Sequence, residues 1–325
     1  MLQVSDLHRQ ARSRLAEASE NPKKLALIHT AIALGSSLLL TAITYLLNEL
    51  IADTGGLDGM QTRSLLTTAQ SILEVAITMA FPFWQMGIFY AALQWIKGEQ
   101  TTFGTLLQGF RKLGAVLKLL FLQFGLLLLL GFAVSNISTI IFMLTPFSDS
   151  FIEHFEPIAK QEMTQEQLEA LLTPEFTEKL TQTFMPLLII LAVLYAAGTL
   201  ILFIRLRFAG FAVLEDLPAG KAFFKSYTIT RKNFWQILKL DLSFWWFYLL
   251  QLLSVVVFQL GAILPLLNIS LPLPDTAVAL IFSVLGAAFQ CILLWQYEAK
   301  RVTVYGLAYH TLDGTIGATI DNTEV

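Results

Sequence analysis

An all-α fold, a polytopic membrane protein with six transmembrane helices, is what this sequence predicts, and three observations carry that expectation. Hydrophobic residues fill 55% of the 325 positions and charged residues only 14%, against about 25% charged in soluble domains. The apolar residues gather in six runs, each long enough for the roughly 20 helical residues that cross a hydrocarbon core. The lysines and arginines collect at alternate ends of those runs. Mean hydropathy is +0.65.

The runs predict spans over Leu25–Ile51, Leu65–Ile96, Val116–Leu144, Phe184–Ile204, Leu240–Leu264 and Ala277–Tyr297. Lipid offers a backbone no hydrogen-bond partners, so each span must be a helix. The short alternating segments of a strand barrel are absent. The first 24 residues are polar and charged, unlike the short basic lead of a signal peptide. The first apolar run is therefore expected to stay as a membrane span. Cys291 is the only cysteine, so no intramolecular disulfide can form.

Orientation follows from the positive charges. With the N-terminus and C-terminus cytoplasmic, only Arg63, Lys160 and Lys179 of the 21 lysines and arginines fall on the outer face. The expected location is a bacterial cytoplasmic membrane. The outer loop at 145–183 is acidic and carries its own helical signals, with Thr164 to Gln167 as a capping box and Pro174 at a helix start. His154 lies among Glu153 and Glu156 there, at a spacing that matches no metal motif.

Three inner segments share a layout, each an amphipathic stretch feeding a span. The first holds Val4, Leu7, Ala11 and Leu15; the second Phe103, Leu106, Leu107, Phe110 and Leu113; the third runs over 219–236. In the third, Phe223, Tyr227 and Phe234 fall within about 40° on a helical projection, with Lys221, Lys225 and Lys232 opposite. Three cytoplasmic interfacial helices are expected, with aromatics in the acyl boundary and lysines toward phosphates. The chain thus reads as one membrane domain over 1–310, with a parallel pseudo-repeat of 1–96, 97–215 and 216–310, and a tail at 311–325.

At 239–251 the sequence is KLDLSFWWFYLLQ. Amphipathic rings favour the headgroup level, so this stretch reads as the aromatic belt where the fifth span enters lipid. Asp241 needs a partner at that depth, and Arg205 and Arg207 end the fourth span on the same face. An ion pair from Asp241 to one of them is expected.

The same stretch carries a family likeness. LDLSFWWFYLL at 240–250 follows AVLEDLPAGKAFFKSYTITRKNFWQILK at 212–239, and IKGEQTTFGTLLQGFRKLG occupies 96–114. Together with HRQARSRL at 8–15, this resembles the bacterial integral membrane family known as domain of unknown function 975, common in Gram-positive bacteria. Gly98, Glu99, Ser226, Leu242, Ser243, Phe244 and Trp246 or Phe247 occupy the family's places. RVTVYGLAYHTLDG at the C-terminal end departs from its pattern. The resemblance implies six membrane helices and supplies no activity.

No catalytic motif is present: there is no P-loop, no HExxH and no CxxC. His8, His29, His154 and His310 are scattered over the topology. No cofactor, metal or nucleic acid is called for. Polar groups inside spans are the better pointers to function, namely Glu74, Gln85, Gln123, Asn136, Gln251, Gln259 and Gln290, with Pro82 as a site for a freed carbonyl. Gly87 with Ala91, and Ala31 with Gly35, permit close helix contact. The expected partners are membrane lipids, with anionic headgroups on the cytoplasmic side.

Two functions fit. The first is a non-catalytic scaffold or regulator that binds lipid or a partner; the second is a transporter or permease for a small or amphipathic solute. A dry centre of Leu and Phe favours the first, and a polar cavity reaching the bilayer midplane favours the second.

Overall fold

The computed structural model describes residues 3–18, 21–53, 57–144, 148, 174–266 and 275–314. These are helical throughout, and no strand occurs among them. In chain order the helices are α1 (Val4–Glu17), α2 (Pro22–Asp53), α3 (Leu57–Lys97), α4 (Phe103–Leu106), α5 (Gln108–Arg111), α6 (Leu113–Met143), α7 (Pro174–Arg205), α8 (Ala209–Leu214), α9 (Ala219–Lys232), α10 (Phe234–Leu242), α11 (Trp245–Leu266) and α12 (Asp275–Asp313). Among the described residues, five helices are long and apolar enough to cross a membrane. A sixth span results if α10 and α11, bent by 59° at their junction, count as one.

The chain forms two compact units, one of residues 1–119 and 206–325, the other of 120–205. The smaller unit holds most of α6 together with α7. Gly198 faces Leu130 so closely that a Cβ there would sit 2.7 Å from the leucine methyl. Phe121, Phe124, Phe132, Leu188 and Phe203 are exposed, as lipid-facing residues are. The acidic segment at 145–183 falls largely outside the described residues.

In the larger unit α12 packs along α11, α2, α3 and α1, and α8 packs on α3 and α9. Its 39 residues make a rod of about 58 Å, far longer than the roughly 30 Å of a bilayer's hydrocarbon. The excess is not frayed. Val302 to His310 are all buried, and Tyr305 and Tyr309 share a core with Trp95, Phe208 and Phe211. Where the sequence suggested a span ending at Tyr297, the same helix continues through Asp313 into this core.

Gly98 at φ +72° ends α3, the left-handed cap that glycine adopts without strain. The chain then turns back along α3. The amphipathic stretch expected here as one helix is two single turns, α4 and α5. The reason is contact with α3: a Cβ at Gly87 would fall on the Leu106 carbonyl, and one at Gly109 on the Phe83 carbonyl. Gly87 thus does make the close approach its spacing suggested, but Ala31 with Gly35 does not, since nothing lies within 4 Å of a Cβ at Gly35.

Candidate functional site

Four helices of the larger unit line a half-open cavity of about 460 Å³. The sequence makes each wall by helical spacing. On α11, Phe247, Gln251, Val255 and Phe258 recur three or four residues apart, and on α12 Gln290, Leu294, Glu298 and Arg301 do the same. His29, Thr30 and Leu34 of α2 and Phe81 and Gln85 of α3 close the ring.

At one end of the cavity Arg301 grips Glu298 in a two-pronged pair, Nε to Oε2 at 2.8 Å and Nη2 to Oε1 at 2.7 Å. The carboxylate is 3% exposed, and Gln85 Nε2 approaches its Oε1 at 3.4 Å. Burying one of these charges alone would be costly, whereas the fork geometry satisfies both. His29 stacks flat on Trp84, ring centres 5.4 Å apart, and the Trp84 indole donates to the His29 carbonyl at 2.9 Å. His29 Nε2 and Thr30 Oγ1 are buried and have no hydrogen-bond partner among the described residues.

A second polar chain adjoins this pair. Tyr305 donates its hydroxyl proton to Asp241 Oδ1, so in the 2.8 Å contact between Tyr248 and Tyr305 Tyr248 is the donor. Arg207 Nη2 meets Asp241 Oδ2 at 2.7 Å, and its guanidinium lies 4.9 Å from the Tyr305 ring centre. The structure therefore brings Asp241 to Arg207. Arg205 is the last residue of α7, in the smaller unit.

The junction of α10 and α11 divides the aromatic cluster. Phe244 and Phe247 are buried, while Trp245 and Trp246 are exposed. Ser243 donates to the Leu240 carbonyl at 2.6 Å, which ends α10, and its Oγ then accepts from His8 Nε2 at 2.9 Å. His8 Nδ1 is left buried without a partner. Burial holds His8 below its ordinary pKa of 6.5, helped by the positive charges of Lys300 and Arg12.

The remaining expected positions scatter. Glu74 lies on α3, with its side chain outside the described residues. Asn136 donates to the Phe132 carbonyl of its own helix at 2.7 Å. Gln259 is exposed, and Gln123 lies in the smaller unit. On α9 the buried face is Ala219, Ala222, Ser226, Ile229 and Thr230. Lys221 and Lys232 are exposed, but Lys225 is drawn inward onto Asp313 at 2.7 Å. Tyr227 is exposed and Phe223 half-buried, while the neighbouring Phe224 is the most exposed aromatic of α9. Phe234 belongs to α10, because Asn233 leaves the helical conformation at φ −119°, ψ 25°. The projection that joined Phe234 to Phe223 and Tyr227 does not extend past Lys232.

A second hollow, of about 590 Å³, lies between Gln94, Lys97, Gln108 and Glu215. Its cations are already engaged: Lys112 binds Asp216 and the Leu214 carbonyl, and Lys97 faces Glu215 at 3.9 Å. No cluster of metal-ligating side chains occurs among the described residues.

The sequence reading missed Glu298, Arg301, His29 and Thr30 as parts of one site. Their signal was present: Gln290, Glu298 and Arg301 share a helical face once the sixth span is extended beyond Tyr297. Comparisons with family models, curated proteins and solved structures gave no match to this chain. The family likeness therefore rests on the quoted residues.

Proposed function

We propose that the chain is a multi-pass protein of a bacterial cytoplasmic membrane, both termini inside, that takes a small polar or amphipathic solute into the cavity between α2, α3, α11 and α12, as a permease does. The observation that carries this reading is the set of amides and the ion pair placed among the cavity's apolar side chains. Gln290 and Arg301 both line the cavity, and eleven residues of helix between them amount to about 16 Å, roughly half the hydrocarbon thickness. An amide at the depth of Gln290 is costly in lipid and marks a solute path. A scaffold needs only a packed apolar centre.

The test is flux into proteoliposomes holding the purified protein. Wild type is expected to admit one solute class from a mixed panel, and Gln251→Leu with Gln290→Leu to abolish the flux with helix content unchanged. No flux of any solute, together with no ligand-induced rise in thermal stability, would refute the reading.

One observation favours a lipid-binding role alongside it. Phe224 and Trp235 are exposed on α9 and α10 near exposed Lys221 and Lys232, the pairing that suits an interfacial helix on anionic headgroups. A scaffold or regulator acting through this surface alone would keep its activity in the Gln251→Leu, Gln290→Leu protein.

A further inference from the structure

The cavity walls carry one carboxylate and one guanidinium, and the two are spent on each other. We infer that the cavity takes an uncharged, hydrogen-bonding solute with an apolar or aromatic face, sugar-like or amide-like and not an ion; this rests on the solute-binding function proposed above. An anionic ligand would find the Arg301 charge already neutralised by Glu298, and could claim it alone only by drawing Arg301 away from that carboxylate, which is 3% exposed. A cationic ligand would have to draw Glu298 away from Arg301. Either move leaves a buried charge without its partner, and breaking such a pair is strongly unfavourable.

The unspent capacity in the cavity is neutral. His29 and Thr30 line the cavity and are 4% and 1% exposed, and their Nε2 and Oγ1 are buried without partners among the described residues. Buried polar atoms of this kind are nearly always satisfied, by protein, water or ligand. Gln251 and Gln290 add amides on the two opposing helices, each offering donors and an acceptor to hydroxyl or amide groups. Phe247 and Phe258 supply apolar surface on the α11 wall, on either side of Gln251. The volume of about 460 Å³ is that of a small-molecule site.

The full-length protein in nanodiscs of zwitterionic lipid tests this by calorimetric titration with three water-soluble probes of matched apolar part: phenyl glucoside, phenyl phosphate and phenethylammonium. Phenyl glucoside is expected to bind at least about tenfold more tightly than either ion. Gln251→Leu and Gln290→Leu are each expected to weaken it about fivefold, the loss of one uncharged hydrogen bond. Glu298→Gln, which leaves Arg301 uncompensated, is expected to invert the order in favour of phenyl phosphate. If that variant does not assemble, the two leucine variants and the wild-type order decide the matter. Tighter binding of either ion by wild type, weakened by the leucine changes, overturns the uncharged assignment and leaves the solute site standing. Binding of no probe, or binding the leucine changes do not alter, overturns both.

Discussion

Arg207 in the turn before α8 and Asp241 on α10 meet at 2.7 Å, their side chains 23% and 11% exposed. Tyr305 of α12 takes the other oxygen of Asp241. One carboxylate thus ties together the turn, the end of α10 and the C-terminal part of α12, beside the 59° bend that separates α10 from α11.

Removing either charge strands the other in a largely buried place, at a cost of about 3 kcal/mol. Asp241→Arg and Arg207→Asp are each expected to lower the unfolding free energy in mixed micelles by that order, and the double exchange to recover at least half. Additive losses in the double variant would show that the pair is not coupled.

The return of the chain along α3 depends on two missing side chains. Gly87→Ala and Gly109→Ala would each place a Cβ on a backbone carbonyl, of Leu106 and Phe83, which no rotamer change can relieve. Both are expected to release 98–113 to limited proteolysis and to lower thermal stability. Gly114→Ala, with nothing within 4 Å of its Cβ, is the matched control and should change neither.

His8 is held neutral in the folded chain, since its pKa lies below the ordinary 6.5. The unfolded chain therefore binds the proton first as pH falls, and stability drops from pH 6.5 downward until the folded value is passed. His8→Gln keeps a donor for Ser243 and is expected to flatten the part of the melting-temperature profile below pH 6.5 that wild type shows. An unchanged slope would assign that slope to other groups.

Trp245 and Trp246 are exposed on α11, whereas Trp95 is 1% exposed. In single-tryptophan variants, lipids brominated near the headgroup should quench fluorescence at 245 and 246 and leave position 95 bright. Quenching at 95 and none at 245 would place the lipid on the wrong part of the protein.

Much of the fold was legible because hydropathy reads directly as helix length. The six runs correspond to α2, α3, α6, α7, the pair α10 and α11, and α12. Asp241 announced a need for a partner by its depth, though only the fold distinguishes Arg207 from Arg205. Three features were hidden for physical reasons. The C-terminal half of α12 looks polar in patches, because Tyr305, Tyr309 and His310 are buried inside the protein. The division of 102–112 into two turns arises from backbone contact at Gly87 and Gly109, which local propensity does not register. The cavity needs side chains from four helices distant in sequence, so no single stretch displays it.

The uninterrupted course of α12 has a mechanical consequence. The middle of this stiff shaft frames the cavity through Gln290 and Glu298, and its C-terminal end is clamped by Tyr309 against Phe208 and Phe211. Neither part can tilt without carrying the other. A displacement of the α12 wall of the cavity would strain the aromatic cluster, and a displacement of the cluster would move that wall.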